Sequence, residues 1–145
     1  LNRIALRSGD PKRMLDIFSR LAAQNPADTA AANNVAALLL QDDRTVSRGL
    51  EQARRVHERM PGEPMIVDTY AWALLLAGQT QRAVELYEAM PPEARDLSEV
   101  RVHYAEALRR AGRTNEIPAL VGRLTGELLL PRERALLQEL QGRSR

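Results

Sequence analysis

Apolar side chains recur in the middle of the chain with the spacing of one face of an α-helix. The positions that follow the i, i+3, i+4, i+7 pattern are Val67, Tyr70, Ala71, Leu74 and Leu75. Those on the inward face of a second helix are Ala83, Leu86, Tyr87 and Met90. The pattern predicts one helix over residues 64–77 and another over residues 81–90. Gly78 and Thr80 lie between them as a helix stop and an N-cap, so the unit is a helical hairpin.

The same hairpin is written again further along the chain. The matching segments, each pair 34 residues apart, are Tyr70-Ala71-x-x-Leu74 with Tyr104-Ala105-x-x-Leu108, and Ala77-Gly78-Gln79-Thr80 with Ala111-Gly112-Arg113-Thr114. From Ala36 to Ala71 the distance is 35 residues, so we place one inserted residue in a turn at residues 41–44. Self-similarity at a fixed period predicts a stack of hairpins.

The repeats divide the chain into units of one domain. The predicted units are a partial repeat at 1–27, full repeats at 28–63, 64–97 and 98–126, and a capping helix with a tail at 127–145. The capping helix carries Leu136, Leu137 and Leu140 on one side, so it is expected to cover the apolar face of the last repeat. The chain begins with Leu1 inside a repeat, and we therefore expect a fragment of a longer protein.

Polar residues mark the predicted helix ends. Asp10 precedes a proline and is expected to cap the helix that follows. Asp96-x-x-Glu99 resembles a capping box at the start of the next repeat's first helix. Thr114 or Asn115 is expected to cap the second helix of that repeat.

Composition excludes several classes of function. The 21 basic and 19 acidic residues leave a net charge of +2, so no strong field attracts nucleic acid and no nucleic-acid partner is expected. Cysteine is absent, which excludes disulfides and thiol nucleophiles. The longest apolar run, residues 70–77, is too short to span a bilayer, so no membrane insertion is expected of this fragment. Nearly all basic residues are Arg, and this bias, together with the abundant Ala, indicates a bacterial genome of high GC content. The absence of cysteine does not distinguish cytoplasm from periplasm.

No arrangement of residues predicts catalysis, a cofactor or a metal. The two histidines, His57 and His103, lie in different units and lack the spacing of a zinc site, so both are expected to be exposed on helices. His103 and Glu106 share a helix face and can form an acid–base pair, although a solvated contact is the favoured interpretation. There is no glycine-rich phosphate loop and no nucleophile elbow. The chain is therefore predicted not to be an enzyme and to hold no cofactor.

These hairpins resemble tetratricopeptide (TPR) repeats, whose unit is a helix pair of 34 residues. The segments that match the family signature are Val67-x-x-Tyr70-Ala71-x-x-Leu74 with Ala83-x-x-x-Tyr87, Arg101-x-x-Tyr104-Ala105-x-x-Leu108 with Ile117-x-x-x-Val121, and Ala32-x-x-Val35-Ala36-x-x-Leu39 with Gly49-x-x-x-Ala53. Ile117 and Met14 depart from it, since the family prefers Ala there. The resemblance implies an all-α fold, a right-handed superhelical solenoid of TPR hairpins closed by a C-terminal capping helix.

The resemblance also implies a non-catalytic scaffold whose first helices line a concave groove that binds a protein or peptide. The residues predicted to face this groove are Asn33, Ala37, Leu40, Asp68, Trp72, Leu75, Leu76, Glu99, His103, Glu106 and Arg109. Trp72 has two interpretations that stay open, an anchor for an apolar side chain of the partner or a residue packed against the next unit. A clamp for a terminal carboxylate is not predicted. A cationic or mixed peptide suits the carboxylates of Asp68, Glu99 and Glu106 better.

Two further functional hypotheses follow from the same resemblance. Asn33-Asn34-Val35-Ala36 and residues 68–72 are similar to bacterial TPR proteins of secretion and exopolysaccharide systems, so an alternative function is a structural spacer in such an apparatus. The truncated first unit is expected to expose Ala5, Met14 and Phe18, an uncovered end through which two copies can associate.

Overall fold

The computed structural model describes residues 10–143, and this part of the chain is built from helices without a β-strand. The nine α-helices in it are α1 (Pro11–Gln24), α2 (Thr29–Leu39), α3 (Val46–Arg59), α4 (Pro64–Leu76), α5 (Thr80–Ala89), α6 (Pro92–Arg95), α7 (Ser98–Arg110), α8 (Ile117–Val121) and α9 (Pro131–Arg143). Short 3-10 turns lie at Asp43–Thr45 and Thr114–Glu116. None of the helices described is long and apolar enough to cross a bilayer.

The helices stack as successive hairpins, which confirms the all-α fold. Helices α2, α4 and α7 contact one another in that order and form an inner row, and α1, α3, α5 and α8 pack beside it. Ala36, Ala71 and Ala105 are fully buried, so the absence of larger side chains lets the helices of a hairpin approach closely. Tyr87 on α5 is also fully buried and its ring lies 5.4 Å from that of Tyr104 on α7, which joins neighbouring hairpins.

Two glycines end the first helices of successive hairpins in the same way. Gly78 has a φ of 82° and Gly112 a φ of 79°, in the left-handed region that glycine adopts readily. The amide of the following residue donates back into the helix, from Gln79 N to Leu74 O at 2.9 Å and from Arg113 N to Leu108 O at 2.9 Å. The recurring turn predicted from the sequence is thus one backbone motif used twice.

The predicted caps are partly confirmed. Asp10 accepts hydrogen bonds from the amides of Lys12 and Arg13, as expected. Thr80 is not a cap, because α5 already begins at this residue after the turn at Gly78. The capping box at Asp96 is wrong as well, since Asp96 ends the extra helix α6 and α7 begins at Ser98 without a side-chain cap. Thr114 and Asn115 lie in a 3-10 turn that leads into α8.

On the first described helix Met14 is covered, which corrects the expectation that it is exposed, whereas Ile17 and Leu21 of the same helix are exposed. Met14 is only 2% exposed and packs with Leu38 of α2 and Leu130 from the other end of the chain, and Phe18 packs against the same cluster. Ala5 lies outside the described residues. The predicted division of the chain into repeats stays a prediction, as does self-association.

Gly49 on α3 gives a first test of this packing. A Cβ placed there lies 2.7 Å from Leu40 Cδ2 and 3.3 Å from Leu39 Cβ, and Leu40 is fully buried, so its side chain can shift only against its neighbours in the core. We expect Gly49→Ala to lower the free energy of unfolding by about 1 kcal/mol, because overpacking costs about 1–3 kcal/mol and the gain in helix propensity offsets about 1 kcal/mol. Urea unfolding measures the loss. Gly142→Ala is the control, since a Cβ on this helical glycine meets nothing within 4 Å, and equal stabilities of the two variants would contradict the prediction.

Candidate functional site

The inner row of helices is crossed by the chain where it enters α9. We call residues 128–133 the crossing segment, which consists of the turn before α9 and the first three residues of α9. Leu130 packs on Met14 and Leu38, at the far end of the stack from the helix that precedes the segment. Arg132 donates to Leu40 O at 2.9 Å and to Asp43 Oδ1 at 2.8 Å, beyond the C-terminal end of α2. The crossing segment therefore fills part of the predicted groove.

Gln41 fixes the place where the crossing segment becomes α9. Its side-chain amide donates to both carboxylate oxygens of Glu133, at 2.9 and 3.0 Å, and its Oε1 accepts from the amide of Arg132 at 3.1 Å. At the other end of the helix, Gln141 donates to the carbonyls of Val121 and Leu124. Helix α9 therefore packs on α7 and α8, as a capping helix should, and also reaches back to the first complete hairpin.

A buried ion triad, Asp68, His103 and Glu133, joins three helices beneath the crossing segment. His103 Nδ1 lies 2.9 Å from a carboxylate oxygen of Asp68 on α4, and its Nε2 lies 3.3 Å from one of Glu133 on α9. All three residues are less than 9% exposed. The predictions of an exposed His103 and of a solvated contact with Glu106 are wrong, because a segment 30 residues further along covers this face of α7.

The carboxylates hold His103 in its protonated form. Burial by itself would lower the pKa of the imidazole, but the charge of Asp68 and the hydrogen bonds that His103 donates to Asp68 and Glu133 outweigh it and raise the pKa to about 10. For Glu133, burial would raise the pKa, and the bond to His103 outweighs it and lowers the pKa. An imidazolium fixed between two carboxylates at neutral pH does not serve as a general base.

Trp72 covers the triad from the side. Its ring stacks on that of His103, with centroids 4.3 Å apart and planes inclined by 14°, and only 3% of the residue is exposed. The guanidinium of Arg132 lies 6.0 Å from the centre of the Trp72 ring. Of the two interpretations of Trp72, packing against the next unit's first helix describes its position.

Several other predicted groove residues are committed to contacts within the chain. Glu106 is 1% exposed and accepts from Arg109 at 2.6 and 2.7 Å and from Arg110 at 2.7 Å. Burial would raise the pKa of Glu106, but the two guanidiniums outweigh it and lower the pKa. Leu40 and Leu75 are fully buried, so the expectation that they face an open groove is wrong.

One opening on the inner face is a cavity of about 130 Å³, which we call the open cavity. Its lining residues are Asn33, Asn34, Ala37, Met65, Asp68, Thr69, Trp72, Glu99, His103, Leu128, Leu130 and Glu133. Three successive inner helices and the crossing segment thus meet there. The predicted residues that it brings together are Asn33, Ala37, Asp68, Trp72, Glu99 and His103. Those outside it are Leu40, Leu75, Leu76, Glu106 and Arg109, and Leu76, Glu106 and Arg109 line a second hollow between α9, α4 and α7.

Sequence reasoning missed the contribution of the C-terminal residues to this site. Glu133 falls on the polar side of a short amphipathic helix, where a solvated position is the ordinary expectation. The available signal was the apolar run Leu128-Leu129-Leu130, which lies outside any repeat and directly before Pro131.

Within the described residues, no group of three or more His, Asp or Glu side chains is arranged to hold a metal ion.

The ion triad predicts how stability depends on pH. Since the pKa of His103 is raised to about 10 from its model-compound value of 6.5, its contribution is complete below pH 6.5 and is lost as the pH rises towards 10. Since the pKa of Glu133 is lowered from 4.5, its contribution is present above pH 4.5 and is lost below it. We therefore expect the ion triad to stabilise the fold most between about pH 4.5 and pH 6.5.

Urea midpoints measured from pH 5 to pH 10 test this expectation. In His103→Gln the decline between about pH 6.5 and 10 should be reduced, because the titrating group is absent. The control is His57→Gln, which removes the other histidine, whose pKa is lowered by burial. A wild-type profile retained in His103→Gln would contradict the assignment.

Comparison with known families agrees with this geometry. A family model described as tetratricopeptide repeat matches residues 1–123, that is, the hairpins up to the end of α8 but not the crossing segment or α9. Searches of curated proteins and of solved structures found no match.

Proposed function

The chain belongs to the tetratricopeptide repeat family, whose members generally mediate protein–protein interactions, and we propose that it is a non-catalytic scaffold that binds a segment of a partner protein on its inner face. The observation that carries the proposal is the open cavity, where side chains of α2, α4 and α7 converge. Asn33, Asp68 and Glu99 bring polar groups to it, and Ala37 and Leu130 bring apolar surface. Such a combination of apolar walls and a few convergent polar groups is typical of binding sites.

The crossing segment supports the proposal, because in it a stretch of the chain outside the matched repeats already lies on this face. Leu130 enters an apolar cluster, and Arg132 donates to the backbone carbonyl of Leu40 and to Asp43. An apolar anchor with flanking hydrogen bonds to backbone groups is how a groove holds a peptide. We propose that a partner segment lies beside the crossing segment and uses the open cavity.

A displayed library of random peptides tests the proposed function. We expect the wild-type protein to enrich peptides with a common motif and Ala37→Leu to bind them about tenfold more weakly, since the added side chain fills the cavity. The matched control is Ala119→Leu, the same substitution at an exposed alanine of α8, which should bind as the wild type does.

The result also separates the scaffold from the structural-spacer alternative. A spacer has no ligand on its inner face, so no motif would be enriched. Equal binding by Ala37→Leu and Ala119→Leu would place the peptide elsewhere and would overturn the proposal.

A further inference from the structure

The open cavity carries an excess of negative charge. Asp68, Glu99 and Glu133 line it with carboxylates, and His103 is the only cationic residue among its lining residues. The single imidazolium is shared between Asp68 and Glu133, which leaves Glu99 without a basic partner in the lining of the cavity. A ligand that enters next to these groups meets a field that favours cations.

The cavity is lined by an unpaired acceptor, on Asn33, and by an unpaired donor, the indole N–H of Trp72. Asn33 is only 8% exposed, lines the cavity, and its Oδ1 has no hydrogen-bond partner. Thr69 already donates its hydroxyl to Met65 O at 2.9 Å, so it offers its oxygen as an acceptor. A buried acceptor without a donor is unfavourable, and a ligand rich in N–H groups relieves that deficit.

The walls and the volume restrict the size and shape of the ligand. Ala37, Met65, Trp72, Leu128 and Leu130 provide apolar surface for a short methylene chain. The volume of about 130 Å³ is close to that of a cavity of about 150 Å³ that holds benzene. The space thus suits the end of one side chain with its methylene groups and excludes a helix or a folded loop.

We propose that the open cavity is a binding site for one cationic side chain, arginine or lysine, of the partner segment. The proposal rests on the proposed function and names the chemistry that the inner face recognises. The charged head group lies between the carboxylates of Glu99 and Asp68 and the amide oxygen of Asn33. The methylene groups lie against Ala37 and Leu130. The ion triad positions two of the acidic groups, since His103 holds Asp68 and Glu133 towards each other across the cavity floor.

Nuclear magnetic resonance titration with small probes tests this chemistry without a peptide. The probes are n-butylguanidinium, n-butylammonium and neutral n-butylurea, which share the alkyl chain. We expect at least one of the cations to shift the Asn33 side-chain amide and the Trp72 indole N–H, and to bind about tenfold more tightly than the urea. Tighter binding of n-butylguanidinium would indicate an arginine side chain, and tighter binding of n-butylammonium would indicate a lysine side chain.

A pair of carboxylate variants makes the test specific to the cavity. Glu99→Gln should bind the cationic probe about fivefold more weakly. Glu93→Gln, at an exposed position of α6, should bind it like the wild type. Glu99 lies outside the ion triad, so its substitution leaves the buried network intact. Equal shifts with n-butylurea, the absence of any shift, or wild-type affinity in Glu99→Gln would overturn the proposal.

The two proposals fail in distinguishable ways. If the cationic probes do not bind but the peptide library yields a motif that Ala37→Leu loses, the inner face is a binding surface with a different chemistry. If the probes bind and depend on Glu99 while no peptide motif is enriched, the cavity binds cations and the proposed scaffold function is wrong.

Discussion

Replacing His103 with alanine is expected to lower the free energy of unfolding by about 3–5 kcal/mol, because Asp68 and Glu133 then stay buried without their shared cation. The loss of the Trp72–His103 ring contact acts in the same direction. Urea unfolding near pH 6, which lies below the raised pKa of His103 and above the lowered pKa of Glu133, measures the difference.

His57→Ala is the matched control for this experiment. The His57 ring stacks on Tyr70 at 4.8 Å but is only partly buried and has no carboxylate partner at hydrogen-bond distance. Its removal should lower the free energy of unfolding by about 1 kcal/mol. Similar losses in the two variants would mean that the buried charges of Asp68 and Glu133 find other partners.

Replacing Trp72 with alanine is the second change for which a large loss is expected, about 3–5 kcal/mol, because this aromatic side chain is almost fully buried. The control is Leu97→Ala at a side chain that is 40% exposed, where a change within about 0.5 kcal/mol is expected. A Trp72→Ala variant as stable as Leu97→Ala would contradict the packing described here.

This expected loss decides how binding should be studied. If a Trp72→Ala variant bound no partner, unfolding of the variant would explain the result as well as the loss of a contact with the partner. Ala37 and Glu99 line the open cavity outside the ion triad, so substitutions of these two residues test binding without removing the buried contacts of the triad. Since Trp72 and His103 are in contact, the effects of their substitutions are not expected to add.

Local sequence signals predicted the two helices of the central hairpin. The helix expected over residues 64–77 is observed as Pro64–Leu76, and the one expected over 81–90 is observed as Thr80–Ala89. Apolar spacing and the glycine turn lie within a few residues of each helix, so both can be recognised in one sequence. The missed capping box has a local cause as well, since the proline pair at 91–92 starts the extra helix α6.

The candidate site could be predicted only in part, because contacts distant in sequence complete it. Helical spacing predicted Asn33, Asp68 and Glu99 on one face, and all three line the open cavity. The same spacing gave no sign that Gln41 and Glu133, 92 residues apart, share hydrogen bonds. Tertiary packing decides which polar face of α7 the crossing segment covers. The burial of His103 could therefore be learned only from the structure.

The return of α9 to Gln41 changes how the molecule is expected to unfold. In an open stack of repeats, each hairpin contacts only its neighbours, so a terminal repeat can unfold while the others stay folded. Here the detachment of α9 would strip Glu133 from His103 and uncover Met14 and Leu38 at the opposite terminus. The first and last described helices are thereby joined, and we expect the residues between them to unfold together rather than one hairpin at a time.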